Sequence, residues 1–86
     1  MNSDVRIAVL GGGSWATALV KLLLNNVKHL SWFIRQDENI QFIRKHRHNP
    51  NYLTSVLLDT EKITFYTDIS KIISENEILF LAIPGP

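Results

Sequence analysis

The sequence predicts an α/β protein built on an incomplete doubly wound parallel sheet, βαβαβαβ, with spatial strand order 3-2-1-4. Three observations carry this. Short runs rich in Val, Ile, Leu and Phe alternate with segments of helical periodicity. The runs are continuously apolar rather than alternating, as befits strands covered on both faces. The first run stops at three consecutive glycines directly before a helical segment.

Val5 to Leu10 is the first strand, ended by Gly11-Gly12-Gly13. Ser14 to Leu24 is rich in helix formers, with Ser14 on the N-cap side and Asn25-Asn26 at the exit. His29 to Arg35 is apolar and aromatic and reads as the second strand. Asp37 then offers an N-cap to a helix carrying Ile40, Phe42 and Ile43. From His46 to Leu58, around Asn49-Pro50-Asn51, the apolar residues keep no period, so a loop or irregular lobe is expected. Ile63 to Tyr66 is the third strand, and Thr67-Asp68 precede a short helix through Ile69, Ile72 and Ile73. Glu77 to Ile83 is read as a buried fourth strand, and Pro84-Gly85-Pro86 as a boundary. Right-handed crossovers turn this succession into order 3-2-1-4.

The chain has 86 residues, of which 45% are hydrophobic and 20% charged, the composition of one globular unit. A domain of this size buries only about 60–65% of its unfolded surface, marginal for a parallel sheet, so residues 1–86 are expected to be part of a larger domain. A net charge of +1 gives no field for nucleic acid or an anionic membrane. The absence of cysteine excludes disulfides, thiolate metal sites and a Cys nucleophile, and fits a cytoplasmic protein. No signal peptide and no apolar run of about 20 residues is found, so no membrane association is expected.

The glycine turn holds the chemistry. Between a strand and a helix, the spacing G-x-G-x-x-G/A places a pyrophosphate at the positive end of the helix. Gly11 would permit the tight turn, Gly13 would let phosphates approach the backbone, and Ala16 would let the helix pack closely on the strand. The bland alternative is a turn that only connects two elements, but the surrounding βαβ pattern favours a dinucleotide. Trp15 has two readings, core or cofactor contact. Arg35 ends the second strand about 20 residues past the turn, where NAD-preferring domains place an acid. A guanidinium there suits a 2′-phosphate, which points to NADP or to both cofactors; a solvated strand end is the other reading. For Asp37, the N-cap role is preferred to a ribose contact.

From Gly11 to Leu19 the string Gly-Gly-Gly-Ser-Trp-Ala-Thr-Ala-Leu resembles the N-terminal domain of NAD(P)-dependent glycerol-3-phosphate dehydrogenases, whose turn runs Gly-Ala-Gly-Ser-Trp-Gly-Thr-Ala-Leu. The resemblance continues through Phe33-Ile34-Arg35, Asn49-Pro50-Asn51-Tyr52-Leu53 and Leu81-Ala82-Ile83-Pro84. It implies cofactor contacts from Ser14, Trp15, Arg35 and Tyr52, with Gly12, Ala16, Phe33 and Gly85 departing from the usual residues. It also implies hydride transfer between dihydroxyacetone phosphate and sn-glycerol 3-phosphate, supplying phospholipid precursor. The small phosphorylated substrate and the family's homodimer would belong to the full-length protein, because its catalytic lysines and helical substrate domain lie further along. Residues 1–86 are thus expected to hold half of a cofactor site and no catalytic centre.

Other chemistries are weaker. Arg44-Lys45-His46-Arg47-His48 could meet nucleic-acid phosphates beside Tyr52, but a solvated helix end fits it better. His29, His46 and His48 are too few and badly spaced for zinc. Ser14 with a histidine and Asp37 lacks the context of a hydrolase triad. A nonenzymatic nucleotide-binding or scaffold module is the alternative from another class, and an S-adenosylmethionine protein is disfavoured by Arg35.

Overall fold

The computed structural model describes residues 5–51, 53 and 55–82. Four strands, β1 (Ile7–Leu10), β2 (Leu30–Phe33), β3 (Ile63–Tyr66) and β4 (Ile78–Leu81), form one parallel sheet ordered β3-β2-β1-β4. Three α-helices join them: α1 (Ser14–Leu24), α2 (Asp37–His46) and α3 (Ile69–Glu75). The class and strand order are those the sequence predicts.

Topology decides which helix covers which face. Steps from β1 to β2 to β3 run in one direction across the sheet, so right-handed crossovers put α1 and α2 on the same side. The connection from β3 to β4 runs back past β1, which sends α3 to the opposite side. The alternation of β1 matches: Ile7 and Val9 pack with Ala16, Val20, Trp32, Ile40 and Ile43, whereas Ala8 and Leu10 pack with Ile72. In α1 the buried positions Ala16, Thr17, Val20, Leu23 and Leu24 trace one helical stripe. Each large side chain buried there contributes about 1.5–3 kcal/mol.

Boundaries differ from the sequence reading where capping chemistry decides them. Gly13, not Ser14, is the N-cap of α1, and Gln36 is the N-cap of α2, so Asp37 is the first helical residue and adds its charge beside Glu38 in the first turn. Asp68 caps α3 as expected, its Oδ1 accepting from the amides of Ser70 (2.9 Å) and Lys71 (3.3 Å). The long connection begins after His46 with Arg47 in the left-handed region (φ 62°), and contains a short 3-10 turn, Thr60–Lys62, that periodicity did not reveal.

The largest correction concerns β4. The sequence reads it as buried, yet all four of its residues are exposed, because its outer edge and much of its surface have no neighbour among the described residues. Also among these, no helix is long and apolar enough to cross a membrane. The expected boundary at Pro84-Gly85-Pro86 and the features at Ile83, at Tyr52 and at Met1 to Asp4 lie outside the described residues.

Candidate functional site

The site grows from the carboxyl end of β1. Gly11 has φ 130°, which side-chain-bearing residues rarely adopt, so this position needs glycine. Its N–H donates to the Phe33 carbonyl (3.0 Å), and its carbonyl accepts from the Trp32 indole Nε1 (2.6 Å), so both polar groups tie the turn to β2. Trp32 itself is fully buried, and the indole hydrogen bond satisfies the one polar atom it carries into the core.

Gly12 and Gly13 follow with ordinary room. A Cβ on Gly12 would lie 3.4 Å from Ile34 Cγ2, a normal contact that leaves space for the alanine usual in the resembling family. A Cβ on Gly13 would meet nothing within 4 Å, and its φ of −84° does not call for glycine. Glycine therefore keeps open a space that the fold itself does not fill.

That space faces the start of α1. The first N–H groups of any helix lack intrahelical acceptors, and the macrodipole makes them an anion site. α3 satisfies its own with Asp68, and α2 carries Asp37 and Glu38 in its first turn. α1 has neither a side-chain cap nor an acid there. The Gly13 carbonyl meanwhile accepts from the Thr17 N–H (3.0 Å) and hydroxyl (2.8 Å).

An open cleft of about 270 Å³ runs from Gly12 and Gly13 across the end of β2 at Ile34, Arg35 and Gln36, completed by Asn39 and Asn51. It lies at the carboxyl end of the strands beside the first crossover, where open α/β sheets bind ligands. A larger cleft of about 350 Å³, lined by Arg6, His29, Tyr66 and Glu75 among others, lies toward the opposite strand ends and lacks these features.

The predicted residues separate into distinct roles. Gly13 and Arg35 share the cleft, with Arg35 exposed. Ser14 is exposed at the first position of α1, and Trp15 beside it is 68% exposed, which removes the core reading of that side chain. Gly11 is turned inward toward β2. Ala16 is 0% exposed and can act only through the close packing of α1 on the sheet. Tyr52 lies outside the described residues. The basic cluster lies at the end of α2 and beyond, where the Phe42 ring lies 4.4 Å from His46 and 5.2 Å from His48, and Arg44 sits 5.4 Å from the Phe65 ring.

Sequence reasoning missed the supports of the turn. Asn49 is 3% exposed, and its Nδ2 donates to the Gly12 carbonyl (3.1 Å) and to Thr17 Oγ1 (2.9 Å), while its Oδ1 accepts from the Asn51 N–H (2.9 Å). The Asn-Pro-Asn string read as loop punctuation and as part of the family resemblance, with no role given to Asn49. Asn39 and Gln36, joined by a 2.8 Å hydrogen bond, had no signal beyond their nearness to Arg35.

Comparison with known proteins identifies the family. Residues 6–86 match the family described as NAD-dependent glycerol-3-phosphate dehydrogenase N-terminus. Curated relatives named glycerol-3-phosphate dehydrogenase (NAD(P)+) include one from Pseudomonas syringae pv. syringae, 34% identical over 99% of this chain and 25% of its own length. One from Pseudomonas savastanoi pv. phaseolicola is 37% identical over the same shares. One from Halothermothrix orenii is 39% identical over 92% of this chain and 23% of its own length. The chain spans about a quarter of the length of the relatives it matches. With the strand order, the glycine turn and a match over nearly all its residues, the chain belongs to the NAD-dependent glycerol-3-phosphate dehydrogenase N-terminal family.

Proposed function

We propose that this chain binds NADP or NAD and forms the cofactor-binding part of a glycerol-3-phosphate dehydrogenase. The observation that carries the reading is the meeting of Gly12, Gly13 and Arg35 on one cleft, at a helix start that has neither a side-chain cap nor an acid. The space that a Gly13 side chain would occupy fits a pyrophosphate, received by the amides of Gly13 and Ser14 at the positive end of α1. Arg35 receives the ribose end. Its charge and planar fork favour a 2′-phosphate without barring the 2′-hydroxyl of NAD. Trp15 offers exposed aromatic surface at the same helix end, and Tyr52 joins the set through the family pattern. Gly11 shapes the turn and Ala16 packs beneath it.

A nicotinamide dinucleotide held there supplies the hydride chemistry; the chain's own residues bind it, orient it and choose its ribose end. The substrate pair is dihydroxyacetone phosphate and sn-glycerol 3-phosphate, in a cytoplasmic homodimer that makes glycerophospholipid precursor. Residues 1–86 are part of one dinucleotide-binding domain. No catalytic group and no phosphate clamp is assigned within residues 1–86. Calorimetric titration of NADPH and then NADH into the folded 86-residue chain tests the reading. Tighter NADPH binding is expected, and a folded chain that binds neither would refute the assignment of the cleft.

A further inference from the structure

We propose that Asn49 is a positioning residue of this cradle: its buried carboxamide fixes the Gly12–Gly13 peptide so that the Gly13 N–H faces the cleft. The inference rests on the pyrophosphate reading above and deepens it. A trans peptide is planar, with C=O and N–H pointing to opposite sides. The Asn49 amide holds the Gly12 carbonyl at 3.1 Å, so the N–H of the same peptide must point away from Asn49. The two flanking peptides are held in the same manner, the Gly11 carbonyl by Trp32 and the Gly13 carbonyl by Thr17. Three successive peptides are thus gripped by their oxygens, and the N–H groups of Gly12, Gly13 and Ser14 each point away from the group that holds the carbonyl of the same peptide.

Asn49 differs from the other two supports because it reaches the turn from a remote loop. Its own orientation is over-determined. One amide hydrogen goes to Gly12, the other to Thr17 Oγ1, and Oδ1 takes the Asn51 N–H. The Thr17 hydroxyl, accepting from Asn49, is left to give its single hydrogen to the Gly13 carbonyl, so the directions agree throughout. Rotating the carboxamide by half a turn would set oxygen against the Gly12 oxygen. Asn51, fixed by Asn49, lines the cleft directly, so one residue couples the loop to the turn.

The test compares ligands with and without a pyrophosphate on the 86-residue chain, using Asn49→Asp, which keeps the shape but cannot donate, and Asn49→Ser as a smaller alternative. NADPH and ADP should weaken about 10- to 100-fold, the loss of one charge-assisted hydrogen bond, while adenosine 2′-monophosphate changes less than about twofold. Equal losses for all three ligands would make Asn49 a merely structural residue and overturn the proposal, as would no loss at all. If the unaltered chain binds none of them, the pyrophosphate reading fails, and the Gly13 amide resonance in an 15N-edited NMR spectrum decides for Asn49. Displacement of that resonance in both variants, with distant amides unmoved, supports the positioning role; an unmoved Gly13 amide overturns it.

Discussion

Replacing Gly13 with valine separates the needs of the fold from those of the ligand. At φ −84° and ψ −170° the backbone is open to any residue, and the added Cβ meets nothing within 4 Å. Valine is a poorer N-cap than glycine by about 0.5–1 kcal/mol, and the stiffer unfolded chain returns a similar amount. Stability should therefore change by less than about 1 kcal/mol, a shift in Tm within about 4–8 °C for a domain of this size. For a dinucleotide the same isopropyl group fills the approach to the amides of Gly13 and Ser14. Losing two hydrogen bonds to a charged pyrophosphate costs about 3–6 kcal/mol, or two to four decades in Kd. A thermal melt and a calorimetric NADPH titration on the same preparation provide the assay. A folded variant that binds NADPH as the original does would remove the glycine turn from the site, and a variant that does not fold would refute the claim that the structure leaves this space empty.

Two further outcomes are expected. Arg35→Ala should weaken NADPH about 10- to 100-fold and NADH less than about threefold, because only the former offers a 2′-phosphate to the guanidinium; equal losses in a fluorescence titration would discard that role. Partial burial, and then the hydrogen bond its hydroxyl donates to Glu75 (2.8 Å), raise the Tyr66 phenol above its ordinary value of 10.0. The folded state thus prefers the neutral phenol, so its contribution is intact below pH 10 and is lost as pH climbs through the raised value. Melts of the original and of Tyr66→Phe at about pH 9 and pH 11 should show the original losing more stability over that interval, and parallel losses would refute it.

What the sequence disclosed depended on the range of the forces involved. Strand and helix identities were legible because period and β-branching act over a few residues, as in Ile7 to Leu10 or the stripe of α1. Gly11 was legible because the local turn between strand and helix puts its backbone where only glycine is at ease. Asn49 was not, since its value lies in meeting Gly12 and Thr17 more than thirty positions away, and no local pattern marks such a contact. Trp15 and Trp32 show the same limit: both are aromatic and next to apolar segments, yet one is exposed at a helix start and the other is the largest side chain in the core. Only their placement around the glycine turn tells them apart.

The fourth strand was misread for a related reason, and its surface yields the last prediction. Ile78-Leu79-Phe80-Leu81 has the continuous apolar character of a strand covered on both faces, but Ile78 is 42%, Leu79 36%, Phe80 37% and Leu81 71% exposed. Composition specifies what a strand would be covered by, and not whether the cover is present. Among the described residues nothing pairs with the outer edge of β4, and an uncharged, proline-free apolar edge of this kind is a template for pairing with another chain. A net charge of +1 supplies little repulsion against it. The 86-residue chain should therefore self-associate as its concentration rises. Leu81→Lys places a charge at the most exposed position of that edge, where a substitution changes stability by no more than about 0.5 kcal/mol. Sedimentation velocity should show larger species for the original and a monomer for the variant, with Tm unchanged. If the variant associates to the same extent, the contact is made elsewhere, and the exposed edge of β4 is not what drives it.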